Sequence, residues 1–232
     1  PTSPADAIAD AGVAPPRPLV WVGTSASGSA VWSSPLANSV GMAVWAELAD
    51  AAAPADAWPV LTGAVPVPSS WRLASARAVE QVAVPDGEAL LGAAAITAPD
   101  VPDGIRTRLE PAADGTVEAA LAAGYLALVT GVTGWQVPLA VGFDGVGAWT
   151  AAEHAAVLHR WSQHYKAQLV ALTETGVGLR VGRPPRTHDA AMEAAREIAA
   201  YCPDVVVHGL GSMWALATTM AVSDTWSLRW QQ

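Results

Sequence analysis

Cysteine is almost absent from this 232-residue chain: Cys202 is the only one, so no internal disulfide can form and no thiolate-rich zinc cage is available. A reducing, cytoplasmic setting is the expectation that follows. Basic residues are scarce as well. Twelve Lys and Arg face 21 Asp and Glu, and the resulting net charge of −9 sets up a field that repels phosphate backbones and anionic membranes. Neither nucleic acid nor a membrane is an expected partner. Phe occurs once and Tyr three times, so bulky core volume must come from another residue type. Uninterrupted apolar runs are missing too. The uncharged stretches 18–46 and 119–143 are broken by serines in the first and by Gly124, Gly131, Gly134, Gln136 and Pro138 in the second. Neither offers the ~20 predominantly apolar residues of a spanning helix. The first ten residues lack the basic start and apolar core of a secretory signal.

Against these absences, 52% of residues are hydrophobic and only 14% charged, a balance that excludes a disordered chain. The pattern divides into an N-terminal mixed α/β region, residues 1–115, and a C-terminal domain, residues 116–232, packed together. In the first, Leu19 to Val22 reads as a strand, followed by a Gly/Ser loop from Gly23 to Ser34. Ser39 is placed to cap a helix whose face carries Met42, Trp45, Leu48 and Ala49, with Pro54 ending it. Trp58 to Leu61 is a short strand. From Pro66 to Gly115 the chain is rich in Pro and Asp-Gly turns, with strands only at Val79 to Val84 and Ile105 to Leu109.

The second region is patterned more sharply. Leu126 to Thr130 and Val137 to Val141 read as apolar strands, and Asp144-Gly145 as a turn. Thr150 and Glu153 have capping-box spacing, opening a helix with Val157, Leu158, Trp161 and Tyr165 on its apolar face and His159, Arg160, Gln163 and Lys166 outside it. Leu169 to Leu172 and Val177 to Val181 form a hairpin. Thr187 caps a further helix with the stripe Ala191, Ala194, Ala195, Ile198 and Cys202, and with Asp189, Glu193, Arg196 and Glu197 on the polar side. Ser212 caps another through Leu216 and Met220. Trp226, Leu228 and Trp230 then alternate with Ser227 and Arg229 as a last strand. The order implies an α+β fold with a ferredoxin-like split β-α-β sheet and helices on one face.

Several phrases of this region carry a family resemblance: Trp161 on the capped helix, the Leu169 to Val181 hairpin, Arg183-Pro184-Pro185-Arg186-Thr187, Tyr201-Cys202-Pro203-Asp204, and the closing Asp224, Trp226 and Trp230. Together they make the C-terminal half resemble a bacterial family known as domain of unknown function 4253, with Trp58-Pro59-Val60-Leu61 as a weaker match upstream. The resemblance implies a domain type and a bacterial origin but no chemistry. Similar proteins often end on two adjacent tryptophans; here Arg229 precedes Trp230.

No coherent catalytic, metal or cofactor set stands out. Gly23 and Gly28 have the spacing of a phosphate-binding loop, but Ser29-Ala30 stands where Lys and a hydroxyl residue are needed. Gly209-Leu210-Gly211 precedes a helix, yet Trp214 occupies the third small position of a dinucleotide fingerprint, leaving a plain turn. His154, His159 and His164, five apart, are rotated by ~140° from one to the next around a helix and cannot share a metal. His154 falls on the apolar face as a core histidine. Cys202, with Asp204 and His208 nearby in sequence, invites a triad, but the stripe buries it at a helix C-terminus, which raises a thiol pKa. His154, Tyr201, Cys202, Asp204 and His208 remain the one candidate pocket. Eleven tryptophans fill the volume Phe would normally fill, or line a ligand groove.

Three functions are consistent with these residues. One is a non-enzymatic module that binds another protein, for instance as an immunity or accessory factor. A second is a hydrolase-like enzyme using Cys202 or His154 with Asp204; a third is a small-ligand binder lined by tryptophans. For the first, strand parity sends Arg180 and Arg229 to the sheet face away from the helices, a candidate partner surface with the arginines ~10 Å apart if their strands flank a third.

Overall fold

The computed structural model describes residues 19–24, 28–36, 42–73, 83–94, 124–144 and 146–231. Among the described residues, seven strands join in one mixed sheet: β1 (Val20–Thr24), β2 (Ala30–Pro35), β3 (Ala57–Gly63), β4 (Tyr125–Thr130), β5 (Ala167–Leu172), β6 (Gly176–Val181) and β7 (Thr225–Arg229). Their spatial order is β1-β2-β4-β3-β5-β6-β7. Only β3 and β5 run parallel; every other neighbouring pair is antiparallel.

Alternation along the central strands feeds two cores. On β4, Ala127 and Val129 face one side while Leu126 and Leu128 face the other, and β3 splits Val60 from Leu61 in the same way. The first side is covered by helices α3 (Val137–Val141), α4 (Ala151–His164), α5 (His188–Tyr201) and α6 (Met213–Val222). The second is covered by α1 (Met42–Ala52), whose Trp45, Leu48, Ala49 and Ala52 sit on Leu61, Leu126, Leu128, Val170 and Ala171. A short helix α2 (Gly87–Ala93) lies against α4. Gly87 permits that approach, because a Cβ there would fall 2.5 Å from the Ala156 carbonyl oxygen.

The α+β class expected from sequence is the one observed, but the ferredoxin-like order is not. In that arrangement the opening strand, expected at Val137 to Val141, would lie between β6 and β7; instead those residues are helical, β6 pairs directly with β7, and β3, from far upstream, stands between β4 and β5. Helices also cover both faces, since α1 lies opposite the others. The N-terminal strands extend the same sheet instead of packing across it, and the 115/116 boundary lies outside the described residues. Residues 137–141 are a helix, not a strand. Pro138 sits at its first turn, the 134–136 turn before it carries a Thr133–Gln136 capping box, and Gly142 closes it in the left-handed region. All five residues are buried, so the apolar run had no period to separate helix from strand.

Upstream, β1 continues through Thr24 and β2 begins at Ala30, where a loop was expected. Helix α2 occupies a stretch read as turns: Asp86 caps it by accepting from the Glu88 amide. The expected cap Ser39, the strand residues 79–82 and the strand 105–109 lie outside the described residues. Downstream, Thr150, Thr187 and Ser212 cap α4, α5 and α6 as expected. Between α5 and α6, residues 205–210 form a π-helical turn closed by Gly211. Among the described residues, no helix is long and apolar enough to cross a membrane.

Strand β3 is buried along most of its length and completes both cores. A fragment comprising 125–231 alone is therefore expected to lack a cooperative thermal transition. Dispersed amide resonances and a sharp melt from that fragment would contradict the requirement for β3.

Candidate functional site

The five residues of the candidate pocket fall in three places. His154 and Tyr201 meet in a sealed aromatic cage: the Tyr201 hydroxyl hydrogen-bonds His154 Nδ1. Phe143, Tyr201 and Trp230 surround the imidazole with ring centroids 4.7, 5.5 and 5.8 Å away. Trp149 closes the cage by donating its indole N–H to the Tyr201 carbonyl at 2.9 Å. Gly147 is required there, because at φ 63° its missing Cβ leaves room for the Trp230 indole 2.1 Å from where that atom would stand. Both His154 and Tyr201 are wholly buried. Burial lowers the His154 pKa from 6.5 to about 3, an effect that the nearby Val146 carbonyl only partly opposes. Burial also pushes Tyr201 well above the usual phenol value.

Cys202 is equally inaccessible, and burial raises its thiol pKa to about 12 despite backbone amides of Val205, Arg229 and Asp204 directed at the sulfur. Asp204 faces elsewhere. Its Oδ2 accepts the Gln231 amide at 2.7 Å, and its Oδ1 lies 3.8 Å from His208 Nε2 on the surface. The five residues therefore occupy a closed aromatic cage, a buried thiol and an exposed acid-histidine pair. They do not line one open pocket. Among the described residues, no three His, Cys, Asp or Glu side chains are placed to hold a metal.

Sequence reasoning missed a different polar cluster. Arg160 was assigned to the solvated side of α4 and Glu197 to the exposed face of α5, yet the two side chains are only 14% and 10% exposed. Arg160 Nε and Nη2 both donate to Glu197 Oε1, at 3.1 and 2.7 Å, and Nη1 donates to Glu88 Oε2 at 2.7 Å. The other Glu197 oxygen accepts the Trp161 indole N–H at 2.8 Å. Burial disfavours the Arg160 charge, but the hydrogen bonds and charge of Glu197, with Glu88 behind, hold its pKa above the ordinary value. Three helices, α2, α4 and α5, are latched by this one guanidinium. The spacing signal was present: Arg160 sits next to the core residue Trp161, and Glu197 next to the core residue Ile198. Beside the latch, a surface cleft of about 220 Å³ opens between Pro85, Asp86 and Gly87 on one wall and His159, Gln163 and His164 on the other.

The tryptophans divide by role. Trp45, Trp71, Trp149, Trp161, Trp226 and Trp230 are buried in the two cores, whereas Trp21 and Trp214 are exposed. Tyr165 and Trp226 pack edge to face under α4, their ring centroids 5.1 Å apart.

The candidate partner arginines both lie on the sheet face turned away from α4, α5 and α6. Arg180 stands opposite Thr225 and Arg229 opposite Gly176, in the register that pairs buried Val177 with Leu228 and Leu179 with Trp226. Strands β6 and β7 are direct neighbours, not flanks of a third strand. The two arginines therefore sit four residues apart along one ladder, about 13 Å.

Residues 125–231 match the model of a domain of unknown function, DUF4253. No curated protein and no solved structure is detectably similar to the chain. The DUF4253 match runs from β4 to the end of β7, so it contains the aromatic cage, Cys202, and the Arg160 and Glu197 members of the latch. Two supports of this region come from outside the match: Glu88 on α2 and strand β3, whose Trp58-Pro59-Val60-Leu61 was the weaker upstream resemblance.

Two outcomes follow. Arg160→Met and Glu197→Leu are each expected to cost about 3–5 kcal/mol in urea unfolding, because either change strands a buried charge. The double variant should cost less than the sum, and strict additivity would show that the latch is not a coupled unit. His154 predicts acid lability. Between pH 6.5 and about 3 the unfolded chain binds a proton that the folded chain refuses, so stability falls as pH falls. The loss should reach ~2 kcal/mol by pH 5 and level off near pH 3, and His154→Gln should remove that slope. An unchanged slope in the variant would assign the acid sensitivity elsewhere.

Proposed function

We propose that the chain is a non-enzymatic module that binds another protein, with Arg180 and Arg229 on its docking face. The observation that carries this reading is the dispersal of the nucleophile, base and acid that a hydrolase would need. A thiol raised to about 12 supplies almost no thiolate near neutral pH, and a buried imidazole lowered to about 3 has no route to a substrate. Asp204 is occupied by the Gln231 amide. The same residues have a structural purpose, since the cage and the thiol hold the C-terminal strand against α4 and α5.

The test has two arms. p-Nitrophenyl acetate and a short peptide amide should be hydrolysed no faster by the wild-type chain than by Cys202→Ala or His154→Gln. Turnover abolished by either substitution would establish the enzyme reading instead. In affinity capture, a protein partner retained by the wild-type chain should be lost from Arg180→Glu/Arg229→Glu while the melting temperature stays within about 2 °C, as exposed positions normally allow.

A further inference from the structure

The two halves of the α1-covered sheet face are unlike. Over β3, β4 and β5, α1 buries Leu61, Leu126, Leu128, Val170 and Ala171; none of the residues in that core comes from β6 or β7. Continuing across the same face, Ala171 pairs with Gly178, and Gly178 with Ser227. Next to them Gln168 pairs with Arg180, Arg180 with Thr225, and Gly176 with Arg229. Beyond Arg180, a Cβ built on Gly182 would lie 3.3 Å from the Lys166 Cβ, so Lys166 joins this face one diagonal step from Arg180. The face is thus a strip of Gly176, Gly178, Thr225 and Ser227 between cations, with Lys166 and Arg180 at one end and Arg229 at the other.

All three cations are exposed, and none makes an ion pair with a described residue. Of the acids in the chain beside the strip, Asp224 lies in an exposed bend before β7, and Glu174 at the other end accepts the Ser69 amide and hydroxyl. A basic strip on a chain of net charge −9 is a local reversal of the molecule's field. Its ends are too far apart for one carboxylate or phosphate to bridge. Its floor is small enough for a polypeptide backbone to lie against.

We infer that this strip receives an extended, acidic segment of a partner protein, with carboxylates four residues apart meeting its two ends. This rests on the protein-binding reading above and adds the partner's chemistry. Extended backbone rises ~3.3 Å per residue, so acids at positions 1 and 5 span the ~13 Å between Arg180 and Arg229, whereas adjacent acids reach one end only. A polyphosphate chain carries a charge at every unit, including those over the uncharged floor, so it meets the surrounding acidic field more strongly than a segment with two carboxylates and is a poorer occupant.

The experiment titrates the full ¹⁵N-labelled chain with two acetylated, amidated peptides, Glu-Ser-Thr-Ser-Glu and Ser-Glu-Glu-Ser-Thr. The first should shift the amides of Gly176, Gly178 and Ser227 and bind at least about threefold more tightly than the second. Arg180→Glu/Arg229→Glu should weaken it by about tenfold or more, as loss of two opposite charges implies, without lowering the melting temperature. The inference is overturned if those amides do not move, if spacing or charge reversal has no effect, or if an oligothymidylate binds the strip more tightly than the peptide. It is overturned too if charge reversal lowers the melting temperature by many degrees, which would mean that the chain's own residues already occupy the strip. Loss of a captured partner on charge reversal, with the strip indifferent to both peptides, removes the acidic-segment inference and leaves the binding reading standing. Turnover dependent on Cys202 or His154 removes the binding reading itself.

Discussion

Strand β3 is the constraint on which the architecture rests. It is paired to β4 along almost its whole length, joined to β5 on its other edge, and fitted into a core on each face. Without it, β4 and β5 have no contact across the sheet, and α1 loses the Ala57 and Leu61 surface on which it sits. Two tryptophans tie the strand down further. The Trp58 indole N–H reaches across to the Leu169 carbonyl at 2.8 Å, and the Trp45 indole donates to the Pro59 carbonyl at 3.2 Å. Pro59 donates no amide to the ladder, yet it is accommodated in a central strand whose parallel partner β5 registers only at Leu61 with Ala171.

The latch around Arg160 solves a related problem on the helical side. Helix α2 has only seven residues and cannot be held by its own backbone. Its Gly87 lets it touch α4, and Glu88 then reaches the guanidinium that Glu197 has already fixed from α5. Because Arg160 forks to two carboxylates and Glu197 also accepts from Trp161, the buried charges are hydrogen-bonded on several sides. That satisfaction is what makes burial tolerable; an ion pair without it would cost more in desolvation than it returned.

How far the sequence could be read follows from what each signal encodes. Caps at Thr150, Thr187 and Ser212 are local hydrogen-bond patterns, and they located three helices. Alternation in β6 and β7 located Arg180 and Arg229 on one face, but their separation depends on which strands are neighbours, and periodicity carries no such information. The ferredoxin-like order failed for the same reason: nothing between residues 64 and 124 announces that β3 will slot between β4 and β5. Side assignment by residue type misplaced Arg160 and Glu197, since a charged side chain counts as solvated until its partner is known. Cys202, Asp204 and His208 were likewise grouped by chain proximity, and the structure divides them between a buried thiol and a surface pair, while His154, 47 residues before Tyr201, meets it in the core.

Cys202 and Asp204 close the edge of the sheet. β7 is an outer strand, and an outer strand offers unpaired amides and carbonyls to any passing chain. Here the Ser223 hydroxyl donates to the Thr225 carbonyl and accepts from the Thr225 amide, the Arg229 amide is directed at the Cys202 sulfur, and the Gln231 amide donates to Asp204. Cys202 and Asp204 thus follow α5 at the positions where a thiol and a carboxylate meet the amides that β6 leaves unmet. Tyr201, one residue earlier, turns inward to His154 and Trp230, anchoring the end of the same strand from the core side. A thiol and a carboxylate two residues apart are in this fold the fittings of a β-strand edge, one receiving the Arg229 amide and the other the Gln231 amide.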